Sequence, residues 1–292
     1  MPPSVPHLFD TNRRRKIQSR MSSGESLFLL EHLSDEVSDR ITSVNRSFTN
    51  GLIIAHPLLH AHLRTALASK VEHLTLISDF ELGEGRSLDT DDLALAPQTR
   101  DLIAIIGTLH CVNDLPGWFH QIKNALRPDG LMIAGFPGGE TLASFRHHFT
   151  ALESELTGGV ALRIHPFVSL HDLASLLQRA GFALPVVDHD PLTVRYRSIG
   201  RLLDDLRHMG EANCLARRHP LRRSVLMGLD NYFRAHVADA DGKIPILFDF
   251  LFASGWAPAP HQPQPLKPGS ATHRLADALR TTEVPLKHND PE

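Results

Sequence analysis

The stretch that decides the fold class is residues 101–136, DLIAIIGTLHCVNDLPGWFHQIKNALRPDGLMIAGF. Residues 101–107 and 131–136 are apolar runs of strand length, and residues 115–125 between them have helical spacing. This order predicts two parallel strands joined by a right-handed crossover. Strands that are apolar almost throughout are typical of a sheet with helices on both faces. We assign the special backbone conformation of the RPDG turn to Gly130, because glycine has no side chain to resist it.

The same alternation continues upstream of this unit. Residues 51–56 (GLIIAH) and 73–79 (HLTLISD) are predicted strands, and residues 57–70 between them form a predicted helix. The chain before residue 46 is predicted to be helical, with Ser34 as an N-cap. The sequence therefore predicts an α/β domain of Rossmann-like type that follows an N-terminal helical appendage.

Composition excludes several classes of function. The chain has 292 residues, a formal net charge of −3 and a sequence pI near 6.7, so nothing drives it toward nucleic acid. We found neither an apolar run long enough to cross a membrane nor a secretory signal. Cys111 and Cys214 are far apart without C-x-x-C spacing, which argues against a disulfide framework or a zinc knuckle. We expect a soluble protein of a reducing compartment.

Several collinear motifs carry a resemblance to a known family. They are LFDTNRRRK (8–16), HCVNDLPGWFHQIKNALRPDG (110–130), GGETL (138–142), HPFVSLHDLASLLQRAGF (165–182), DLRHMGEANC (205–214), DGKIP (241–245) and GSAT (269–272). With these motifs the chain resembles the methyltransferase-like assembly factors of respiratory complex I, of alphaproteobacterial type, within the class I S-adenosylmethionine-dependent methyltransferase superfamily.

The resemblance implies a methyltransferase fold and a protein that modifies or helps to assemble a complex I subunit. A mitochondrial member of the family is credited with hydroxylating an arginine of an iron–sulfur subunit, and a more distant relative methylates a malonyl group on acyl carrier protein. The family motif begins near residue 8, so we expect a bacterial, cytoplasmic protein that reaches the inner membrane only through partners. We expect a protein partner, no nucleic acid and no integral membrane segment.

The resemblance also implies a division of the chain into regions. Residues 1–45 are the N-terminal helical appendage, and residues 46–258 form the methyltransferase-like α/β domain. Residues 195–242 are a helical insertion that caps the pocket. Residues 259–292 form a proline-rich tail that cannot continue a helix or a central strand.

The turn after the first strand departs from the family pattern. Family members have a D-x-G-x-G-x-G motif there, since only glycine lets the backbone approach the cofactor closely. This chain instead has Ala55 and His56 at the cofactor positions, followed by Pro57, which suits the first residue of a helix. The resemblance implies S-adenosylmethionine as the cofactor, whereas this turn argues against it.

Other cofactor positions follow the later strands. Asp79 stands where the family binds the ribose hydroxyls, although a strand-end carboxylate is equally at home in a solvated loop. Asp91 or Asp92 corresponds to the acidic residue near adenine, and Leu109 is assigned to the cofactor side as well. The segment FELGEGRSL, residues 80–88, is short for the helix and strand that a complete fold needs there.

The substrate side of the pocket is assigned to two groups of residues. His110 and Asn113 follow the 101–107 strand, and His110 can carry protons near neutral pH. In the alternative, Asn113 and Asp114 cap the next helix and His110 packs beneath it. Cys111 stands where the resemblance leads us to expect an aromatic residue.

Glu140, Glu211 and Asn213 complete the predicted substrate pocket. Glu140 suits the first turn of a helix equally well. Glu211 and Asn213 lie in a polar run of the insertion, and an exposed loop is their alternative interpretation.

The 19 histidines suggest a metal site, but their spacing does not support one. His56, His60 and His62 cluster, and His147 and His148 precede Glu153, yet no HExxH motif is present. We predict no metal site and name no catalytic residue, because methyl transfer depends mainly on alignment of the reactants. Two classes of function remain: an enzyme that uses S-adenosylmethionine, and a non-catalytic relative that binds an assembly partner. A carrier-protein O-methyltransferase is a weaker alternative.

Overall fold

The structure is a computed structural model that describes residues 7–21, 27–78, 93–263, 270 and 274–282. The helices are α1 (Thr11–Gln18), α2 (Phe28–Ser43), α3 (His60–Ala66), α4 (Leu115–Ala125), α5 (Ala143–Thr157), α6 (Leu170–Ala180), α7 (Ile199–His208), α8 (Arg223–His236) and α9 (Leu275–Ala278). The strands are β1 (Phe48–Ile54), β2 (Val71–Ile77), β3 (Arg100–Ile106), β4 (Leu126–Pro137), β5 (Ala183–Tyr196) and β6 (Ile244–Trp256).

The six strands of the described residues form one sheet in the order β2-β1-β3-β4-β6-β5. Strands β1 to β4 are parallel, with Gly51 opposite Leu102 and Leu102 opposite Leu131. Strand β6 runs antiparallel between β4 and β5. This mostly parallel sheet with helices on both faces confirms the predicted α/β, Rossmann-like methyltransferase fold.

The two faces of the sheet carry separate apolar cores, as the period of two along a strand requires. Leu52 and Ile54 of β1 point to the face covered by α4 and α6, where they join Trp118 and Leu173. The intervening Ile53 points to the opposite face, which is covered by α2, α5, α7 and α8. Burial on both faces explains why β1 and β3 are apolar almost throughout.

Helix α2 lies against β4, and its start differs from the prediction. The helix begins at Phe28 after Leu27, so the prediction of Ser34 as an N-cap is wrong. Ser34 is buried inside the helix on the same face as Val37. Gly135 of β4 permits the close approach, because a Cβ at this position would lie 2.7 Å from a methyl group of Val37.

The RPDG segment, predicted as a turn before the strand, lies inside β4, and its special backbone conformation falls on a different residue. Asp129, not Gly130, has the positive φ, of 62°. Gly130 is required for space instead, since a Cβ would lie 2.9 Å from the carbonyl oxygen of Arg127. Asp129 is held by Arg46, whose Nη1 lies 2.9 Å from Oδ2 of Asp129.

Helices α7 and α8 lie between β5 and β6 in the chain and cover one face of the sheet. Asp230 of α8 accepts a hydrogen bond from the backbone N–H of Ile199, the first residue of α7, at 2.8 Å. Phe233 of α8 packs against Phe145 of α5, with ring centroids 5.2 Å apart and the rings tilted by 32°. Among the described residues, none of the helices has the length and apolar character needed to cross a membrane.

The chain divides into two compact units, Met1–Pro258 and Ala259–Glu292. Within the second unit, the backbone N–H of Ala259 donates to the side chain of Gln262 at 3.0 Å, and α9 is a single short helix. The predicted cofactor residues Asp79, Asp91 and Asp92 lie outside the described residues.

Candidate functional site

The carboxyl ends of β1 and β3 form the edge where an open parallel sheet binds its ligand. Ala55 follows β1 and is buried; its N–H donates to the carbonyl of Ile77 at 3.0 Å, and its carbonyl lies 3.0 Å from Nε2 of His60. Nδ1 of His56 accepts a hydrogen bond from the N–H of Leu58 at 3.2 Å. Pro57 begins a 3-10 turn, as its position after the strand predicted.

Helix α1 covers this edge of the sheet. The buried Arg14 donates from Nη2 to the carbonyl oxygen of Gly107, the residue after β3, at 3.0 Å. The backbone carbonyl of Gln18 lies 3.4 Å from Nε2 of His56. Leu109 is buried in the core beneath α4. The backbone groups of Ala55 and the carbonyl of Gly107 are therefore bonded within the protein.

The described residues of this edge do not fit S-adenosylmethionine. The turn after β1 has side chains where close approach requires glycine, and Pro57 has no N–H to donate. Arg14 donates a hydrogen bond to the carbonyl oxygen of Gly107, and Nε2 of His60 lies at hydrogen-bond distance from the carbonyl oxygen of Ala55. Of the predicted cofactor residues that are described, Ala55, His56 and Leu109 are buried and face protein atoms.

A buried polar cluster adjoins this edge and joins three segments of the chain. Nε2 of His110 lies 2.9 Å from Oε2 of Glu211, and Nη1 of Arg14 lies 3.9 Å from the same oxygen. The side chain of His110 is 1% exposed and that of Glu211 is 19% exposed. Burial alone would raise the pKa of Glu211, but the charges of His110 and Arg14 hold that pKa below its ordinary value.

Two thiols and a second histidine complete the cluster. The Sγ atoms of Cys111 and Cys214 are 3.6 Å apart, and Sγ of Cys111 lies 3.8 Å from Nε2 of His165. Burial lowers the pKa of His165 to about 4, and the nearby His110 adds to this shift. Burial raises the pKa of the Cys111 thiol, and the hydrogen bond with Cys214 adds to that shift. His165 is therefore a neutral imidazole at pH 7.

The two asparagines of the predicted pocket hold backbone segments together. Oδ1 of Asn113 accepts from the N–H of Phe9 at 2.9 Å, and Nδ2 donates to the carbonyl of Phe9 at 3.2 Å. Asn213 donates from Nδ2 to the carbonyl of Arg163 at 2.9 Å. Of the two residues considered as caps of α4, only Asp114 is the N-cap. Its side chain accepts a hydrogen bond from the backbone N–H of Gly117 at 2.9 Å.

Glu140 lies apart from the other predicted pocket residues. Its side chain is exposed, and α5 begins only at Ala143, so the assignment of Glu140 to the first turn of the helix is wrong. Its backbone N–H donates to Oδ2 of Asp249 at 3.0 Å. The left-handed backbone at Leu142, with φ of 56°, delays the start of the helix.

A cavity of about 340 Å³ lies between the sheet and helices α2, α5 and α7. Apolar side chains from all of these elements form most of its surface: Leu30, Leu33, Phe145, Phe149, Leu203, Leu206, Phe248 and Phe250. Glu211, Asn213 and His165 also line it, and His110 lies behind them in contact with Glu211 and His165. Of the predicted pocket residues, the structure thus brings Glu211 and Asn213 to one cavity, places His110 next to Glu211, and leaves Glu140 outside it.

Sequence reasoning missed Arg14, His165 and Cys214 as members of this site. Arg14 and His165 entered only as members of the motifs at residues 8–16 and 165–182, and Cys214 only as a cysteine far from Cys111. No spacing rule connects residues so distant in the chain. The one available signal was that all three fall inside the motifs that carry the family resemblance.

Comparison with known proteins gives two groups of relatives. The chain is 31% identical to "Arginine-hydroxylase NDUFAF5, mitochondrial" of Danio rerio, over 93% of this chain and 89% of that protein. It is 30% identical to the "Malonyl-[acyl-carrier protein] O-methyltransferase" of Gallionella capsiferriformans, but over 59% of this chain and 57% of that protein. No protein-family model matches the chain.

Among solved structures, the YcgJ protein of Bacillus subtilis matches with a TM-score of 0.49 and 11% identity. The match covers 78% of this chain and 99% of that one. Because the score lies below 0.5, the fold assignment rests on the strand order of the sheet and not on this likeness.

Proposed function

Since this chain belongs to the NDUFAF5 arginine-hydroxylase family, we propose that it is a methyltransferase-like assembly factor that acts on a protein subunit of respiratory complex I. The relative from Danio rerio aligns along 93% of the chain. The carrier-protein methyltransferase aligns over a shorter part of the chain. The length of the alignment therefore favours the first relative as the guide to function.

The observation that carries this proposal is the apolar cavity beside the cap. A cavity lined by phenylalanine and leucine with a few polar groups at one side suits an apolar side chain or stem that ends in a polar group. An arginine side chain has this character, because its methylene stem is apolar and its guanidinium is charged. Glu211 is the carboxylate at the cavity surface; His110 and Arg14 both contact its Oε2, so Oε1 is the oxygen that could pair with such a group.

In this proposal the protein works without S-adenosylmethionine at the edge of β1 and β3. Support comes from Arg14 and His60, which occupy the carbonyl groups of that edge, and from the missing glycine turn. The fold then serves as a binding surface for the subunit. We place the protein in the cytoplasm, at the inner membrane only through its partner.

Carrier-protein methylation is less well supported by the cavity. A malonyl group carries a carboxylate, which needs a cation to bind it. The two arginines that line the cavity are both engaged: Arg163 donates to Glu153, and Arg207 donates to Asp204 at 2.7 Å. Incubation with a malonylated carrier and measurement of its mass tests this alternative directly.

The proposal is tested by affinity capture from membranes and cytosol of a strain in which the tagged chain replaces the native one. We expect complex I subunits to be enriched, and intact-mass analysis of the captured subunits separates three outcomes. Gain of one oxygen atom indicates hydroxylation, gain of one methyl group indicates methyl transfer, and no change indicates a binding role. Absence of complex I subunits from every fraction, together with normal complex I in a deletion strain, would contradict the proposal.

A further inference from the structure

We propose that Cys111, Cys214, His110 and His165 form a tetrahedral site for a divalent transition metal, with zinc as the ion that fits best. Two thiolates and two imidazoles are a common ligand set for structural zinc. The proposal does not depend on the proposed function.

Two distances between ligand atoms match the edges of a tetrahedron, and both involve Cys111. With the usual zinc–sulfur and zinc–nitrogen bonds, two thiolates stand about 3.8 Å apart and a thiolate stands about 3.6 Å from an imidazole nitrogen. The Sγ atoms of Cys111 and Cys214 are 3.6 Å apart, and Sγ of Cys111 is 3.8 Å from Nε2 of His165. The ligand atoms of His110, Cys111 and His165 all lie within 4.8 Å of one another, and Cys214 adjoins this group through its contact with Cys111.

The hydrogen bonds of the two histidines leave one nitrogen of each ring available. Nδ1 of His165 lies 3.2 Å from the carbonyl oxygen of Pro166, so this nitrogen carries the proton and Nε2 has the lone pair. Nε2 of His110 bonds to Glu211, while Nδ1 is buried and has no hydrogen-bond partner among the described residues. Metal-binding histidines usually donate their other N–H to a carboxylate or a carbonyl group.

The charges of the cluster also suit a divalent ion. Binding breaks two S–H bonds, and also the N–H bond at Nδ1 of His110 when that ring is protonated. The protons go to solvent, and two metal–thiolate bonds form. The charges of the divalent ion and the two thiolates then sum to zero. The neighbouring Glu211 and Arg14 form a separate pair of opposite charges. The loaded cluster therefore carries no net charge, which avoids the cost of an unpaired buried charge.

The four ligands come from three parts of the chain. His110 and Cys111 form the 3-10 turn after β3, His165 lies between α5 and α6, and Cys214 lies between α7 and α8. A bound ion would join the cap to the sheet beside the cavity, which His165 also lines. Loading is thus expected to stabilise the folded protein.

The experiment uses the full-length chain purified without a histidine tag. Cobalt(II) is added to the reduced, metal-stripped protein and then displaced by zinc. We expect one equivalent of cobalt to give the thiolate-to-cobalt charge-transfer band and the visible bands of a tetrahedral site, and zinc to remove both. Elemental analysis of the protein as isolated should find up to one equivalent of zinc or another transition metal.

Three variants separate the site from adventitious binding. Cys214→Ser should remove about half of the charge-transfer intensity, since one of two thiolates is lost. Glu211→Gln should weaken binding about 10- to 100-fold by removing the carboxylate that orients His110. His171→Gln, which changes an exposed histidine of α6, is the control and should leave both spectrum and affinity unchanged.

If Cys214→Ser does not fold, the cobalt spectrum of the unmodified chain decides the question. The proposal is overturned if the reduced chain shows no saturable charge-transfer band. It is also overturned if a mild peroxide treatment joins Cys111 to Cys214 in a disulfide while the reduced form binds no metal, because the pair is then a redox couple and not a metal site.

Discussion

Arg14 of α1 donates a hydrogen bond to the carbonyl oxygen of Gly107 at the end of β3, with an Nη2–O distance of 3.0 Å. The same guanidinium lies 3.9 Å from the carboxylate of Glu211. An N-terminal helix is thereby fixed over the edge of the sheet where Rossmann-like folds bind their cofactor.

Arg14→Ala should destabilise the protein by about 2 kcal/mol, because it removes a charged hydrogen bond and leaves the carbonyl of Gly107 without that donor. Denaturant unfolding followed by circular dichroism measures the change. Lys16→Ala is the matched control: Lys16 is exposed on the same helix, and we expect a change within about 0.5 kcal/mol. Equal effects of the two substitutions would contradict the assigned role of Arg14.

Asn113→Ala should release the N-terminal segment without weakening α4. It removes two hydrogen bonds to the backbone of Phe9, at 2.9 and 3.2 Å. We expect faster amide hydrogen exchange in residues 7–21 and little change in residues 115–125. Asp114→Ala should instead speed amide exchange in residues 115–125 and leave residues 7–21 unchanged. It should lower the free energy of unfolding by about 1 kcal/mol, since Asp114 is the N-cap of α4. The same pattern for both variants would show that the two residues share one role.

Glu153→Gln should change how stability depends on pH. The hydrogen bond from Arg163 holds the pKa of the buried Glu153 below its ordinary value of 4.5. The ion pair therefore contributes fully above that value, and its contribution is lost as the pH falls through the lower, folded-state pKa. At pH 7 we expect the variant to be less stable by about 2 kcal/mol, with the difference shrinking below pH 4.5.

The control for this measurement is Glu155→Gln, which changes an exposed carboxylate of the same helix. Its stability curve should stay parallel to that of the unmodified chain. A difference between Glu153→Gln and the unmodified chain that is constant from pH 7 to acid would rule out the ion pair as the cause.

Ala212→Trp should fill part of the cavity and block the partner. Ala212 lines the cavity and is only half-buried, so a larger side chain has space to enter without displacing the core. We expect at least about a tenfold loss of affinity for the captured subunit, which corresponds to about 1.4 kcal/mol. Ala212→Ser is the control and should bind normally. Undiminished capture by Ala212→Trp, with unchanged unfolding, would place the partner elsewhere.

The fold was predictable because its signals are local. Residues 101–107 and 131–136 are apolar on both faces, and a strand of this kind fits only a sheet covered on both sides. Two local details failed. Ser34 resembles an N-cap but lies inside α2 because the hydrophobic face begins one turn earlier, at Leu29 and Leu30. Asp129 adopts the left-handed conformation that the sequence assigns to Gly130. Glycine is needed at position 130 because a Cβ there would clash with the carbonyl oxygen of Arg127.

The site was only partly predictable, because its contacts are distant in the chain. His110 and Glu211 were named separately, and nothing in the sequence indicated that they bond to each other. The contact between the thiols of Cys111 and Cys214 depends on how the segment between α7 and α8 packs against the turn after β3. Their separation of about a hundred residues hides it from any spacing rule.

The measurement that tests the central claim most directly is calorimetric titration of the purified chain with S-adenosylmethionine and with S-adenosylhomocysteine. The closed edge under Arg14, and the absence of glycine from residues 54–60, predict no saturable heat for either ligand. A saturable one-to-one isotherm in the micromolar range would contradict the account. It would show that the cofactor binds despite the altered turn.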